Sequence, residues 1–406
     1  MECKLFPRFL ALLLTGIFLF AADSSVEDLK KMVVETGKLG FIRDVPVHYL
    51  SRPQISCYIS ELFEKEYPDE LAAKEEEFIR LMGFTSDPIQ LKRLRQKIIL
   101  ENVGGMYNEK TKELMALEEF KSAGMMNMLS LIHELRHAIQ DQHFQLARLL
   151  GDRSDFDDRK LAVLAAIEGD ATFVMIKQMG LDPGELGDTF SPETMLSLSA
   201  VAGTNELQHS PDVVKYQLLM PYLDGLKFCS AIFARKKWDG FNRILKRPPA
   251  SSEQILHPDK YLRDEKPIPI EIRFTPLSLP AYHSGVVGEF FLNLLLKTGT
   301  EIDDVASGWG GDRFVIFKDP QTSMLIWRSK WDNDGDCSRF SAVFRHWIEK
   351  NFSVAFIPGG TSQDPFTAGE SPAGYFFLKT KGNNLYYVRT NNREKINEFI
   401  SGGQYD

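Results

Sequence analysis

The spacing of apolar and polar residues predicts a succession of short elements in the first third of the chain. An extended segment is predicted over 44–52, and charge-rich helical segments over 55–83 and 88–98. Two strands, "ENVGGMYN" and "KELMALEE", are predicted within 98–120, because the polar turn "NEKTK" separates two runs suited to strands.

The middle of the chain is predicted to be mainly helical. Apolar residues recur there at helical spacing over four segments, about 125–150 and 159–179, and near 191–202 and 221–238. The segment 125–150 contains no residue that would interrupt it, so we expect one continuous helix ending at Gly151.

The last part of the chain mixes strands and helices. A proline-rich passage over 247–280 is a candidate boundary or wrapping segment. After it, "GVVGEFFLNLLLKTG" and 336–351 are predicted helices, and a short helix is predicted at the end. "DRFVIFKDPQTSMLIWRSKW" and "GYFFLKTKGNNLYYVRT" are predicted β-hairpins. The fold class is therefore α+β, with a strand pair, a helical middle and a C-terminal region of two hairpins and helices.

The N-terminus has the pattern of a signal peptide. Lys4 and Arg8 precede an apolar run that is short for a membrane span, and a polar segment follows. We expect residues 1–22 to be removed by cleavage after Ala21 or Ala22, which predicts a secreted, periplasmic or cell-surface protein. An uncleaved signal anchor is the alternative.

The chain that remains after signal removal is predicted to have two regions: 23–265, which carries the candidate chemistry, and the C-terminal region 266–406.

Composition and charge argue against several classes of function. The net charge of −8 argues against a nucleic-acid binder. No later stretch is long and apolar enough to predict a membrane span, so none is expected after signal removal. The cysteines form no C-x-x-C pair, which argues against a thiolate metal site.

The stretch "LIHELRHAIQDQHF" contains the candidate chemistry. His133 and His137 lie one helical turn apart, so both imidazoles can reach one metal ion. Glu134 is rotated by about 100° from His133 on a helix, which places it beside the ion rather than on it. This H-E-x-x-H spacing is typical of zinc hydrolases that use the glutamate as a general base.

A third ligand is expected from the next helix. Glu168, in "LAAIEGDATF", falls on the apolar stripe of that helix, where a carboxylate is costly unless it is paired or bound to a metal. Antiparallel packing of the two helices would return Glu168 to within about one turn of the histidines. His143 is the alternative third ligand, although on a continuous helix it points away from His137.

Two aspartates are candidates to orient the histidines. Asp141 and Asp170 could each accept the second N–H of a ligand imidazole. Asp141 is favoured, because it lies one turn after His137 on the same helix face.

Taken together, these motifs resemble the zincin metallopeptidases, and most closely their gluzincin branch. The runs "HELRHAIQDQHF", "AAIEGDATF", "PYLDGLKF", "RPPASSEQILHPDKY", "GWGGDRFVIF" and "IWRSKWD" are similar to those of a poorly characterised group of secreted or surface proteins of bacteria and archaea. The similarity spans about residues 100–335.

The resemblance implies a ligand set and a reaction. It implies Zn²⁺ on His133, His137 and Glu168, and a peptide or protein as substrate. Metal-assisted hydrolysis would use Glu134 to take a proton from water and pass it to the leaving amine. The strand "KELMALEE" would be a sheet edge that pairs with extended substrate.

Two features of this implied enzyme stay open. The group that stabilises the tetrahedral intermediate is not identified by a motif, and His257, Tyr222 and His283 are candidates. A zincin-like surface protein that binds metal or a protein partner without turnover is the alternative function, and a structural surface protein without metal is a third hypothesis.

Overall fold

The computed structural model describes most of the chain after residue 24. The described residues are 25–121, 125–151, 156–186, 206–297, 304–361 and 364–402, together with Ser191, Thr194 and Leu196. The predicted signal peptide, 1–22, lies outside the described residues, as does most of the helix predicted near 191–202. Within the described part, no helix is both long and apolar enough to cross a membrane.

The described elements establish an α+β fold, which confirms the predicted class. The helices are α1 Val26–Gly37, α2 Arg52–Glu66, α3 Asp69–Met82, α4 Leu91–Asn102, α5 Met125–Phe144, α6 Leu146–Leu150, α7 Asp158–Gln178, α8 Glu206–His209, α9 Asp212–Phe241, α10 Ser252–Leu256, α11 Pro258–Leu262, α12 Gly288–Leu295, α13 Asp334–Phe352 and α14 Arg393–Gly402. The strands are β1 Val47–Leu50, β2 Gly105–Asn108, β3 Glu113–Leu117, β4 Ala281–Gly285, β5 Trp309–Lys318, β6 Ser323–Trp331, β7 Ile357–Thr361, β8 Asp364–Ser371, β9 Gly374–Lys381 and β10 Asn384–Thr390.

The predicted strand pair before α5 belongs to a small three-stranded sheet. Its order is β1-β3-β2, in which β2 is antiparallel and β1 parallel to β3. The expectation that "KELMALEE" offers a sheet edge to substrate is therefore wrong, because β3 is the central strand. Strand β1, which is distant in sequence, pairs with the other side of β3, with Val47 opposite Leu114.

A seven-stranded antiparallel sheet forms the C-terminal region, in the order β4-β5-β6-β10-β9-β8-β7. Both predicted hairpins, β5–β6 and β9–β10, are confirmed. The sequence did not predict β4, β7 and β8, whose proline and glycine residues weaken the strand signal. The two outer strands are irregular: β4 has a register shift between Ala281 and His283, and β7 contains Pro358, Gly359 and Gly360.

The two predicted regions share apolar packing. Phe78 of α3 stacks on Phe314 of β5 with ring centroids 4.5 Å apart, and Phe84 contacts Phe291 of α12. One hydrophobic cluster contains buried residues from both sides of the proline-rich passage. The division between 23–265 and 266–406 stays a prediction.

Helix α7 lies at the centre of the helical layer. Every residue from Leu161 to Ile176 is buried, as expected of a helix that other elements surround. Asp157 caps its N-terminus by accepting a hydrogen bond from the Lys160 backbone N–H. Helices α5 and α9 both pack against it, so side chains of α7 can reach residues of either neighbour.

The backbones of α7 and α9 touch directly at two glycines. A Cβ built on Gly169 would lie 2.2 Å from the carbonyl carbon and oxygen of Gly225. A Cβ on Gly225 would lie 2.1 Å from the carbonyl oxygen of Ala165. No side chain fits at either position, and this contact places α9 beside the residue that precedes Gly169, which is Glu168.

Two of the helices predicted in the middle of the chain differ from those observed. The helix expected over 125–150 ends at Phe144, because Gln145 adopts a left-handed conformation with φ of 55° before α6 begins. Asp141 Oδ1 accepts a hydrogen bond from the Leu146 backbone N–H, which stabilises this break. Helix α9 begins at Asp212, earlier than predicted, and Lys237 within it has non-helical torsion angles.

Candidate metal centre

The three predicted ligands come together between α5 and α7. His133 Nε2 and His137 Nε2 are 3.0 Å apart. Glu168 Oε2 lies 3.1 Å from His133 Nε2 and 3.3 Å from His137 Nε2. The residues are exposed by only 1%, 2% and 1% for His133, His137 and Glu168, respectively. Two adjacent turns of α5 and one position of α7 thus place three potential ligand atoms in a small triangle.

The size of this triangle fits a tetrahedral zinc ion. Zinc binds imidazole nitrogen and carboxylate oxygen at about 2.0–2.2 Å, so two ligand atoms at tetrahedral angles are roughly 3.3 Å apart. The three observed separations are close to that value. The donor set of two imidazoles and one carboxylate is also one that suits Zn²⁺, with a fourth position left for water or substrate.

Gln140 determines which ring nitrogen of His137 carries the proton. Its Nε2 donates to the carbonyl oxygen of Ile167 at 2.9 Å and to Asp170 Oδ2 at 2.8 Å. The amide oxygen must then face His137 Nδ1, which is 2.8 Å away. Because that oxygen can only accept, Nδ1 carries the hydrogen and the Nε2 lone pair of His137 points into the triangle.

The buried carboxylate of Glu168 calls for positive charge inside the triangle. Burial acts to raise the pKa of Glu168, and positive charge together with hydrogen bonds on the side of His137 and His133 would lower that pKa to about 2, so an ionised carboxylate needs a positive charge in the triangle. A proton on His133 Nε2 could satisfy one of the contacts in the triangle. A divalent ion would satisfy the two imidazole lone pairs and the carboxylate at once.

Asp170, which accepts a hydrogen bond from Gln140, is itself held in place by Arg136. Asp170 accepts hydrogen bonds from Arg136 Nε at 2.9 Å and from Arg136 Nη2 at 3.1 Å. Arg136 is fully buried and also donates to the side chain of Asn242. The chain of contacts Arg136–Asp170–Gln140–His137 therefore orients one imidazole from outside the triangle, as supporting groups around metal ligands do.

We expect Gln140→Met to weaken zinc binding by about 10- to 100-fold, because the side chain keeps its volume but loses the hydrogen bond that orients His137. A chelator-competition titration measures this affinity. Gln142→Met on the same helix is the matched control, since Gln142 bonds to the backbone of residues 42 and 43 instead. Equal affinities in the two variants would rule out an orienting role for Gln140.

Glu134 follows His133 in α5, and its carboxylate is held by the small sheet. Its Oε2 accepts a hydrogen bond of 2.7 Å from the backbone N–H of Tyr107 in β2, and the Tyr107 hydroxyl donates to Asp141 Oδ2 at 2.9 Å. Strand β2 is thus attached to α5 at two points. Among the described residues, Glu134 is outside the group whose ligand atoms lie within 4.8 Å of one another. That Glu134 flanks an ion in the triangle, as H-E-x-x-H implies, stays a prediction.

The expected orienting role of Asp141 is wrong. Its carboxylate bonds to Tyr107, to Lys112 Nζ at 2.6 Å and to the backbone N–H of Leu146. Residue positions i+3 and i+4 share a helix face, and the longer Gln140 side chain reaches the His137 ring. Asp170 contributes only through Gln140, so neither aspartate contacts a histidine of the triangle.

The alternative third ligand, His143, lies apart from the centre. It is exposed, and its Nε2 is 2.8 Å from the carbonyl oxygen of Gly40. The geometry therefore brings Glu168, and not His143, to the two histidines.

Of the three candidate stabilising groups, Tyr222 is the one whose ring contacts a residue of the triangle. Its ring centroid is 6.2 Å from that of His133. His257 instead contacts Glu289, and His283 contacts Phe314. Within the described part of the chain, neither of these two histidines has a hydrogen bond or ring contact with the triangle.

Sequence reasoning missed Gln140, Arg136, Tyr107 and the glycine pair. Only Gln140 carried a usable signal, because its position three residues after His137 places it on the same helix face. The others act through tertiary contacts with α7, β2 and α9 that no local spacing reveals.

Comparison with known proteins gives little about this centre. A family described as "Domain of unknown function (DUF8575)" matches residues 278–399, which begin after the centre. No curated protein matches the chain. A crystal structure from Chloroflexus aurantiacus, described as a "putative hydrolase with a novel fold", is similar at 17% identity and a TM-score of 0.35, covering 59% of this chain and 87% of that one. Similarity at this level assigns neither a fold nor an activity.

Proposed function

We propose that this protein is a zinc-dependent metallopeptidase that is exported from the cytoplasm. The observation that carries the proposal is the triangle of His133, His137 and Glu168, with Gln140 directing the lone pair of one imidazole inwards. The resemblance of the motifs to gluzincins supports peptide bonds as the target, and the N-terminal pattern supports export.

Each residue of the centre has a role in this proposal. His133, His137 and Glu168 hold the ion, which when bound supplies a Lewis acid that brings the pKa of a water to about 7. The Glu134 carboxylate takes the proton that water loses as it attacks, and then passes that proton to the leaving amine. The Tyr107 backbone N–H keeps the Glu134 carboxylate in place for both transfers.

A metal-binding protein without turnover is the second candidate function. Two observations favour it: the side chains of the centre are almost completely buried, and β3 is not a free edge for extended substrate. In that case the ion would join α5 to α7 and stabilise the fold, as structural zinc sites do.

The metal and the activity are tested separately. We expect the purified chain to carry about one zinc per molecule, and removal by a chelator to abolish cleavage of a fluorogenic peptide library that added Zn²⁺ restores. Zinc at full occupancy with no cleavage of any peptide would leave the second candidate. Absence of bound metal after supplementation would refute both.

A further inference from the structure

A second group of potential metal ligands lies apart from the centre. His257 occupies the corner between α10 and α11, Glu289 is in the first turn of α12, and Asp304 precedes β5. One ligand atom from each of these residues lies within 4.8 Å of the others. Three segments that are well separated in sequence therefore converge on one imidazole and two carboxylates.

Glu289 is the buried member of this group and is only partly satisfied. It is fully buried, and its Oε1 is 2.7 Å from His257 Nε2. Its Oε2 is buried and has no hydrogen-bond partner among the described residues. Buried carboxylate oxygens are normally paired, hydrogen-bonded or bound to a metal, so this atom indicates a missing positive partner.

A neighbouring carboxylate group shows how the fold satisfies such oxygens elsewhere. Lys260 places its ammonium group 2.6 Å from Glu253 Oε1, 2.9 Å from Glu265 Oε1 and 3.0 Å from Asp332 Oδ2. Across the described ranges, no lysine or arginine forms an ion pair with Glu289 or Asp304. The group of His257, Glu289 and Asp304 therefore has two carboxylates for one imidazole. Among the described residues, it lacks an ammonium group like the one that Lys260 supplies to its neighbour.

We propose that His257, Glu289 and Asp304 bind a second divalent metal ion, of the kind that imidazole and carboxylate ligands prefer, such as Zn²⁺ or Mn²⁺. Glu289 anchors the ion from the buried side. Asp304 is exposed and His257 is about one-third exposed, so the ion can enter from solvent and keep water on its open side. The ion joins the α10–α11 corner to α12 and to the segment before β5.

Counting the metal ions that the full-length chain binds tests this proposal. Chelator-stripped protein is titrated with Zn²⁺ by calorimetry at about pH 8, where an ordinary imidazole is neutral. We expect two equivalents for the parent and one for Asp304→Asn, with the second affinity lowered at least about 100-fold, since even supporting groups change affinity by 10- to 100-fold. Asp304 is exposed, so this variant should fold normally.

Asp259→Asn is the matched control, because Asp259 is an exposed carboxylate two residues after His257 that pairs with Arg235. It should still bind two equivalents. The parent could instead bind one equivalent that is lost in the double variant His133→Asn/His137→Asn and kept in Asp304→Asn. That result would overturn the second site and leave His257–Glu289 as an ion pair. One equivalent that depends on Asp304 and not on His133 would instead support the second site while refuting the proposed centre.

Discussion

Glu134→Gln is expected to keep its zinc and to lose about 100- to 10,000-fold in kcat for peptide hydrolysis. A positioned proton-transfer group contributes a factor of this size, and the amide cannot take a proton from water. The metal should stay, because Glu134 is outside the ligand triangle. The amide oxygen can still accept the hydrogen bond from Tyr107, so the local structure should be unchanged. Steady-state kinetics and elemental analysis on the same sample give both quantities.

Glu118→Gln provides the control for this variant. Glu118 is an exposed carboxylate that forms a surface ion pair with Lys121, so its loss should change neither kcat nor zinc content. Peptide cleavage by Glu134→Gln at the parental rate would show that Glu134 is not the general base. A loss of zinc in this variant would show that Glu134 holds the ion directly or through the fold.

Gly169→Ala is expected to lower the free energy of unfolding by about 2 kcal/mol and to weaken zinc binding. The added Cβ would lie 2.2 Å from the Gly225 carbonyl, which is backbone of another helix and cannot move aside as a flexible side chain can. Overpacking costs about 1–3 kcal/mol and occasionally more, whereas alanine gains about 1 kcal/mol over glycine in a helix. The clash is severe enough to lie at the upper end, so it outweighs the gain. Moving α7 away from α9 also displaces Glu168, the adjacent residue.

Urea unfolding of the metal-free protein and chelator competition measure these two effects. Gly40→Ala is the control, because a Cβ at Gly40 meets nothing within 4 Å and should change neither quantity. If Gly169→Ala were as stable as the parent, the two helices would not be in backbone contact in solution.

Much of the architecture was predictable because it depends on local spacing. The helix containing His133, the helix containing Glu168 and the hairpins β5–β6 and β9–β10 each have a clear period or turn in the sequence. The parallel pairing of β1 with β3 was not predictable, because Val47 and its partner Leu114 are 67 positions apart in the sequence. That long-range contact is what makes β3 a central strand.

The same distinction holds at the candidate metal centre. The choice of Glu168 over His143 followed from helix periodicity and from the cost of burying a carboxylate. Spacing could not distinguish Gln140 from Asp141 as the partner of His137, because both lie on the correct face of α5. What decides it is Asp170 on α7, which binds the Gln140 amide and is fixed in turn by Arg136.

The irregular outer strands of the seven-stranded sheet bear on self-association. A regular edge strand exposes unpaired N–H and C=O groups. A strand of another molecule can pair with them, which is a common route to aggregation. Pro358 removes one N–H donor from β7, and the register shift in β4 disturbs the opposite border. The broad sheet is thereby protected on both flanks from recruiting a strand of a second molecule.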